Sequence, residues 1–201
     1  MNVLHLDTSA LGTYSISRQL TAAIVGQLQR DGVASSVSYR DLAADPLPHL
    51  TGAGFLGRGV DPAERTPEQA LDAAVLDEFL AADTVVIGAP MYNFSIPSNL
   101  KAWIDRVAVA GKTFAYTADG PQGLAAGKKA IIVSTRGGLY SEGPASVMDH
   151  QESYLKTVLG FLGVTDVEFV RAERLGFGPE IKAQAVADAR AHIAGEARLA
   201  A

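Results

Sequence analysis

The fold of this chain is constrained most by two short apolar segments, residues 84–89 and 129–134. They read TVVIGA and KAIIVS, so neither alternates between an apolar and a polar face. Such runs are typical of parallel strands that are covered by helices on both sides of a sheet. Pro90 ends the first run. We therefore predict two central strands of a buried parallel sheet.

Strand and helix patterns alternate along the rest of the sequence, as expected for βαβ units. Further strands are predicted at residues 3–7, 37–39 and 166–172. Helices are predicted from Ser15 or Ser17 to Gly32, from a capping box at Thr66, over residues 97–110 and 153–162, and from Pro179 to about Ala197. Five strands with crossovers predict an α/β fold, a flavodoxin-like three-layer sandwich with a five-stranded parallel sheet of order 2-1-3-4-5. We expect one domain over residues 1–201.

Composition excludes several classes of function. A formal net charge of −5 gives no electrostatic reason to expect a nucleic acid partner. The chain has no cysteine, which excludes disulfides, thiolate metal sites and cysteine nucleophiles. The histidines show no metal-ligand spacing, so no metal is expected; they are His5, His49, His150 and His192. With no secretory leader pattern at the start and no run long enough to span a bilayer, we expect a cytoplasmic protein without a membrane partner.

The loop after the first strand, residues 7–17, has features of a phosphate-binding site. It reads DTSALGTYSIS and opens directly onto a helix. Hydroxyls of Ser9, Ser15 and Ser17 and free amides at the helix start can donate to phosphate oxygens, and the helix dipole favours negative charge. No lysine or arginine precedes Arg18, but oriented amides can replace a cation. Alternatively, Ser15 only caps the helix and Ser9 only forms a turn.

Two further loops follow the two central strands. The first is Met91, Tyr92, Asn93 and Phe94, and the second is Thr135, Arg136, Gly137 and Gly138. Ligands of open parallel sheets bind beyond the carboxyl ends of the strands, so all three loops are expected at one edge. The aromatic loop can supply apolar walls and a backbone amide near Asn93, and the glycines allow close approach of a ligand. A phosphate seat beside a slot for a flat ring predicts a flavin mononucleotide (FMN) site.

Each of these segments also has a purely structural interpretation. Methionine and aromatic residues after a buried strand commonly pack in a core or an interface. Gly137 and Gly138 can form a simple tight turn, and Arg136 can form a surface ion pair. The glycine-rich run at residues 52–59 can be a lid or a plain surface insertion.

The ordered set of motifs resembles the FMN-dependent NADH azoreductase family, whose members also reduce quinones. The resemblance covers nearly the full chain. It rests on Ser9, on the SIS triplet at 15–17, on APMYNF at 89–94, on TFAYT at 113–117, on TRGG at 135–138, and on glycine-containing segments at 120–124, 127–130, 159–163 and 178–180. The aromatic loop at 91–94 is the most specific of these motifs.

The resemblance implies a homodimer that binds one FMN per subunit near the subunit interface. By matching position, the phosphate end would be bound by Ser9, Ser15, Ile16 and Ser17, the isoalloxazine ring by Met91, Tyr92, Asn93 and Phe94, and the pyrimidine edge by Thr135, Arg136, Gly137 and Gly138. Ile16 replaces the more usual polar residue, which leaves its backbone amide as the contact. Tyr116 and Phe161 would line the substrate slot, Phe161 from the second subunit, although Phe161 also fits a core position.

The implied activity is a two-step exchange that needs no catalytic acid, base or nucleophile from the protein. NADH, or NADPH in its place, gives hydride to bound FMN, and a quinone or an aromatic azo compound then accepts two electrons. A flavodoxin-type carrier of single electrons stays open, although the charge of −5 gives weak support for its docking surface. A signalling receiver domain is disfavoured, since Asp7 lacks a neighbouring acidic residue to hold Mg²⁺, and the lack of cysteine excludes a low-molecular-weight phosphatase.

Overall fold

The computed structural model describes residues 1–56, 58 and 60–199. Its strands are β1 (Asn2–Asp7), β2 (Ser36–Asp41), β3 (Thr84–Pro90), β4 (Phe114–Thr117), β5 (Gly120–Gly123), β6 (Lys129–Thr135) and β7 (Asp166–Ala172). Its helices are α1 (Ile16–Arg30), α2 (Gly52–Leu56), α3 (Pro67–Ala81), α4 (Ser98–Val107), α5 (Glu152–Leu162) and α6 (Pro179–Leu199). None of the described helices is both long and apolar enough to cross a membrane.

The central sheet is parallel and five-stranded, as predicted, in the order β2-β1-β3-β6-β7. Its strand numbers differ from the predicted 2-1-3-4-5 because β4 and β5 precede its fourth strand in the chain and form a separate antiparallel hairpin. The sequence analysis did not predict this hairpin. Each of its strands has only four residues, and β5 reads GPQG, which carries no strand signal.

Both central strands are buried as the continuous apolar runs predict. Every residue of β3 is buried, and in β6 only Lys129 is partly exposed. Side chains of β3 alternate between two cores, with Val85 and Ile87 in one and Val86 in the other. The first core includes Phe79, Trp103 and Leu159 from α3, α4 and α5, and the second includes Leu20, Ile24 and Ile193 from α1 and α6. Burial of each large apolar side chain contributes about 1.5–3 kcal/mol.

Several predicted helix boundaries are confirmed by hydrogen bonds. Thr66 and Gln69 form the predicted capping box, with Pro67 at the first helical position of α3. Helix α1 begins after Ser15 and ends at Arg30, shortly before Gly32. Helix α4 ends at Val107, three residues before the predicted end. Within the glycine-rich run at 52–59, residues 52–56 form α2, while Gly57 and Gly59 lie outside the described residues.

Candidate functional site

The three predicted loops meet at one edge of the sheet. Strands β1, β3 and β6 are neighbours, and their carboxyl ends lie side by side in register, Asp7 with Gly88 and Pro90 with Thr135. The Met91 amide donates to the Thr135 carbonyl at 2.8 Å, which links the aromatic loop to the glycine loop. Parallel pairing therefore brings together segments that are more than 100 residues apart in the chain.

The first loop ends in a cluster of donors at the start of α1. Ser9, Ser15 and Ser17 are buried, and the Ser15 and Ser17 hydroxyl oxygens lie 2.9 Å apart. Ser15 also caps the helix, since its hydroxyl accepts from the Arg18 amide at 3.3 Å. Within the described part of the chain, the Ile16 and Ser17 amides have no backbone acceptor. Ser15 therefore caps the helix, as the alternative interpretation requires, and the two free amides lie beside the Ser15 and Ser17 hydroxyls at the start of α1.

The side chain of Arg18, the first cationic residue after this loop, is bound by other groups of the protein. The Arg18 guanidinium forms two bonds of 2.5 and 2.6 Å to the Asp41 carboxylate and donates to the Ser9 carbonyl at 3.0 Å. The hydrogen bond to Asp41 raises the pKa of Arg18, and the bond from Arg18 lowers the pKa of Asp41. Arg18 therefore holds the backbone of the loop, and an anion at the helix start would be bound by hydroxyls and amides.

Asp7 is also engaged within the protein, which weighs against a receiver-domain function. Its buried carboxylate accepts from the Thr21 hydroxyl at 2.9 Å and from the Tyr39 hydroxyl at 3.1 Å. Burial alone would raise the pKa of Asp7, but contacts with His5, Thr21 and Tyr39 outweigh it and lower the pKa. Burial and the negative charge of Asp7 raise the pKa of Tyr39 to about 12. A carboxylate held in this way is not free to accept a phosphoryl group.

The aromatic loop is a tight turn with unusual backbone angles. Tyr92 and Ser95 exchange backbone hydrogen bonds of 2.9 and 3.1 Å, and the two residues between them have positive φ, 49° at Asn93 and 69° at Phe94. This left-handed pair is the geometry of a primed β-turn, which glycine and asparagine adopt readily and phenylalanine does not. Backbone strain of this kind is concentrated at binding sites. Among the described residues, the Asn93 and Phe94 amides have no backbone acceptor and are free to donate to a ligand.

Comparing two truncations at Phe94 measures this strain directly. Both Phe94→Gly and Phe94→Ala remove the ring, which lies 6.0 Å from the Tyr140 ring, so they differ only in backbone preference. We expect the glycine variant to be more stable in urea unfolding by about 1 kcal/mol, since a left-handed L-residue carries that cost. Lys156 is an exposed position in helix α5, where Lys156→Ala should be more stable than Lys156→Gly by a similar amount. If alanine is the more stable at both positions, the turn is unstrained.

Tyr92 connects the aromatic loop to the phosphate loop. Its hydroxyl lies 3.3 Å from the Ser9 hydroxyl and accepts from the Ala10 amide at 3.1 Å. The predicted role of Tyr92 as a wall of the ring slot must therefore be shared with a role in holding the neighbouring loop. This contact could not be predicted from local patterns, because its two partners are 83 residues apart in the chain.

We expect Tyr92→Phe to weaken FMN binding about three- to tenfold. The change removes two hydrogen bonds, each contributing about 0.5–1.5 kcal/mol, and lets the Ser9 end of the loop move. Quenching of FMN fluorescence on titration with apoprotein measures the dissociation constant. The matched control is Tyr14→Phe in the same loop, where the side chain is 84% exposed and no change is expected. Equal affinities for the two variants would show that the Tyr92 hydroxyl does not organise the site.

The third loop contributes to this edge through its backbone. Arg136 is only 1% exposed, so the predicted alternative of a surface ion pair is wrong. Its guanidinium lies among three carboxylates, with Nη2 2.9 Å from Asp149 and 2.6 Å from Glu152, and Nη1 3.2 Å from Glu173. A side chain enclosed in this way is not available to contact a ligand. Any contact from Arg136 to a bound ring must come from its main chain.

A segment that the sequence analysis missed supports the glycine loop from behind. The Arg174 amide donates to Gly138 at 2.8 Å, and the Gly176 amide donates to Gly137 at 3.0 Å. A Cβ on Gly176 would lie 3.2 Å from the Gly137 carbonyl oxygen, so the two chains pack closely. By contrast, a Cβ on Gly137 would meet no atom within 4 Å, which leaves open space beside it. A glycine shortly after the predicted strand at 166–172 was the available signal.

The sequence signature of a family with a flavodoxin-like fold matches residues 1–196. The chain belongs to this flavodoxin-like family. An FMN-dependent NADH:quinone oxidoreductase of Sinorhizobium fredii is 61% identical over 202 residues, 96% of each chain. A protein of the same name from Ralstonia nicotianae is 59% identical over 95% of this chain and 94% of its own. The azoreductase AzrA has 31% identity and a TM-score of 0.88, with 98% of this chain and 99% of that chain covered. The resemblance inferred from the motifs is thus confirmed.

The two predicted substrate residues of this flavodoxin-like chain belong to elements outside the three loops, β4 and α5. Tyr116 is 77% exposed on β4, with its ring 5.5 Å from the Phe114 ring. Phe161 is partly buried in α5, and its ring lies 4.5 Å from the same Phe114 ring. Among the described residues, neither ring has a ring contact with the aromatic loop. Phe161 occupies the core position that its helical spacing allows, and Tyr116 is free to contact another molecule.

The candidate site of this family member does not coincide with the described cavities. A cavity of about 700 Å³ is lined by Arg58, Asp72, Arg106 and Lys112 among others, and none of the predicted cofactor residues lines it. A second cavity, of about 360 Å³, is lined by Ser95, the residue directly after the aromatic loop, among others. Exposed apolar side chains occur in two of the three loops and in the segment behind the glycine loop; they are Leu11, Tyr14, Phe94 and Phe177.

Proposed function

We propose that this chain is an FMN-dependent NADH:quinone oxidoreductase that also reduces aromatic azo compounds. The observation that carries the proposal is the meeting of the three loops at one sheet edge, where a donor cluster lies beside an aromatic turn and an open glycine loop. Curated relatives of that name, 61% and 59% identical over almost the full chain, support the same activity.

The donor set fits FMN from its phosphate to its ring. The phosphate would be bound by Ser9, Ser15 and Ser17 and by the amides of Ile16 and Ser17. The ring would lie against Met91, Tyr92, Asn93 and Phe94, with the Asn93 and Phe94 amides as donors. Its pyrimidine edge would meet the backbone of Thr135, Arg136, Gly137 and Gly138, where Gly137 leaves space for a close approach. Bound FMN supplies a two-electron carrier, and these residues bind and orient it.

The donor and the acceptor would use the same exposed face in turn. NADH, or NADPH, binds first and leaves, and a quinone or azo compound then takes its place. The proposal includes one FMN-binding domain over residues 1–201, a cytoplasmic location and a homodimer. In that dimer, Tyr116 and the partner's copy of Phe161 would line the slot. The exposure of Tyr116 supports such a contact.

Anaerobic reduction tests this function. The purified chain, reconstituted with FMN, should lose its absorbance near 450 nm when NADH is added, and a quinone or an azo dye should restore it. A flavodoxin-type electron carrier would bind FMN equally but would not be bleached by NADH. Bound flavin that stays yellow with excess NADH and NADPH would therefore contradict the proposed enzyme and favour the carrier.

A further inference from the structure

Gln151 lies buried between the bases of the two loops that would hold the ring. It is fully buried and directly precedes α5. Its side-chain Nε2 donates to the Ala89 carbonyl at 2.8 Å, two residues before the aromatic loop starts at Met91. Its Oε1 accepts from the Ser134 hydroxyl at 2.8 Å, next to the start of the glycine loop at Thr135. One carboxamide thus joins the ends of two strands, β3 and β6.

This carboxamide does not serve the helix that follows it. Gln151 occupies the residue before α5, where a side chain commonly caps the helix, but it makes no capping hydrogen bond. Asp149 caps in its place, since its Oδ1 accepts from the Gln151 amide at 2.9 Å and from the Glu152 amide at 3.0 Å. The side chain of Gln151 is therefore committed to the strand ends, and its contacts there are not a by-product of helix capping.

The link lies at the last register positions of the two strands. Ala89 pairs with Ser134, and Pro90 pairs with Thr135 in the last register position. Beyond Pro90, the Met91 amide makes the next backbone bond to β6, at the Thr135 carbonyl. The Gln151 Oε1 also lies 3.2 Å from Nε of the buried Arg136, which fixes the orientation of the amide. Since the site is shielded from water, none of these bonds can be replaced by solvent if it is lost.

We infer that Gln151 is a positioning residue that sets the spacing between the aromatic loop and the glycine loop, and so the width of the ring slot. This inference rests on the proposed function for its consequence, FMN binding, but its structural part can be measured without FMN. Met91 and Arg136 report on the two loops, because their amides are hydrogen-bonded to the Thr135 and Ala172 carbonyls. Loss of the Gln151 hydrogen bonds should speed hydrogen exchange at both of these amides.

The test compares Gln151→Met with Val75→Ala. Methionine keeps the volume but makes none of the hydrogen bonds, whereas Val75→Ala removes buried volume from α3, an element separate from both loops, and so destabilises the fold in general. In the apoprotein, we expect Gln151→Met to speed hydrogen exchange at Met91 and Arg136 by about tenfold or more relative to Val75→Ala. It should also weaken binding of FMN and riboflavin alike, by on the order of tenfold, and change the visible circular dichroism of the bound flavin.

A second variant separates the two ends of the link. Gln151→Glu keeps an acceptor for Ser134 but cannot donate to Ala89 when ionised, so exchange should rise at Met91 more than at Arg136. If Gln151→Met does not fold, Gln151→Glu tests the positioning role in its place. Exchange and flavin affinity equal to those of Val75→Ala would overturn the inference. Failure of the wild-type chain to bind FMN, with exchange still faster at both amides, would contradict the proposed function and leave the positioning role supported.

Discussion

Replacing Ser15 with aspartate should weaken FMN binding by about three orders of magnitude. Aspartate is as good a helix cap as serine, so α1 should still form. Its carboxylate, however, would stand beside the Ser17 hydroxyl, 2.9 Å from the present Ser15 oxygen, where the phosphate is proposed to bind. Repulsion between unit charges about 4 Å apart near a protein surface costs about 4 kcal/mol, which corresponds to about a thousandfold in affinity. Fluorescence titration of the apoprotein measures it.

Two controls isolate the charge. Ser15→Asn has nearly the same shape and the same capping ability without the charge, so we expect less than a tenfold loss. Riboflavin lacks the phosphate, and its affinity should be the same for the Asp and Asn variants. If Ser15→Asp binds FMN as tightly as Ser15→Asn, the phosphate does not bind at the start of α1.

Replacing Arg136 with methionine should lower the free energy of unfolding of the apoprotein by about 3–5 kcal/mol. The buried guanidinium contacts Asp149, Glu152 and Glu173, and its loss leaves three carboxylates close together, of which Glu152 keeps its ion pair with Arg171. Urea unfolding at pH 7 measures the difference. Burial alone would raise the pKa of Glu173, but hydrogen bonds from Ser141 and Tyr140 and the charge of Arg136 lower it. The variant loses the charge of Arg136, so Glu173 should be protonated more readily and the difference from wild type should become smaller as the pH falls towards 5.

Arg171 provides the matched control for this prediction. It pairs with Glu152 at 2.8 Å, as Arg136 does at 2.6 Å, but its side chain is 42% exposed. Solvent can therefore compensate for its loss, and Arg171→Met should cost less than about 1 kcal/mol. Similar losses in the two variants would show that burial of Arg136 does not decide the energy of the network.

The sequence predicted the parts of the site that depend on topology. Residues 84–89 and 129–134 are apolar on both faces, so they had to be central parallel strands, and parallel strands bring their following loops to one edge. The hairpin of β4 and β5 could not be predicted in this way. Its strands are short, and its apolar residue Phe114 packs against Phe161 of a distant helix instead of a second sheet face.

The direction in which side chains point at the loop ends was not predictable from local patterns. Arg136 lies in a motif that resembles a ligand-binding loop, yet its partners Asp149, Glu152 and Glu173 are 13 to 37 residues away and become neighbours only when β6, α5 and β7 pack together. The side-chain contacts of Gln151 with Ala89 and Ser134 were not predictable for the same reason. Long-range polar contacts follow from tertiary packing, which neither periodicity nor spacing encodes.

The central claim is that three separate loops bind a single FMN at one sheet edge. A crystal structure of the FMN complex tests this claim most directly. It should place the phosphate within hydrogen-bonding distance of Ser15 and Ser17, with the ring between Asn93 and Gly137. Density for FMN elsewhere, for example in the cavity beside Arg106 and Lys112, with the three loops left without ligand, would contradict it.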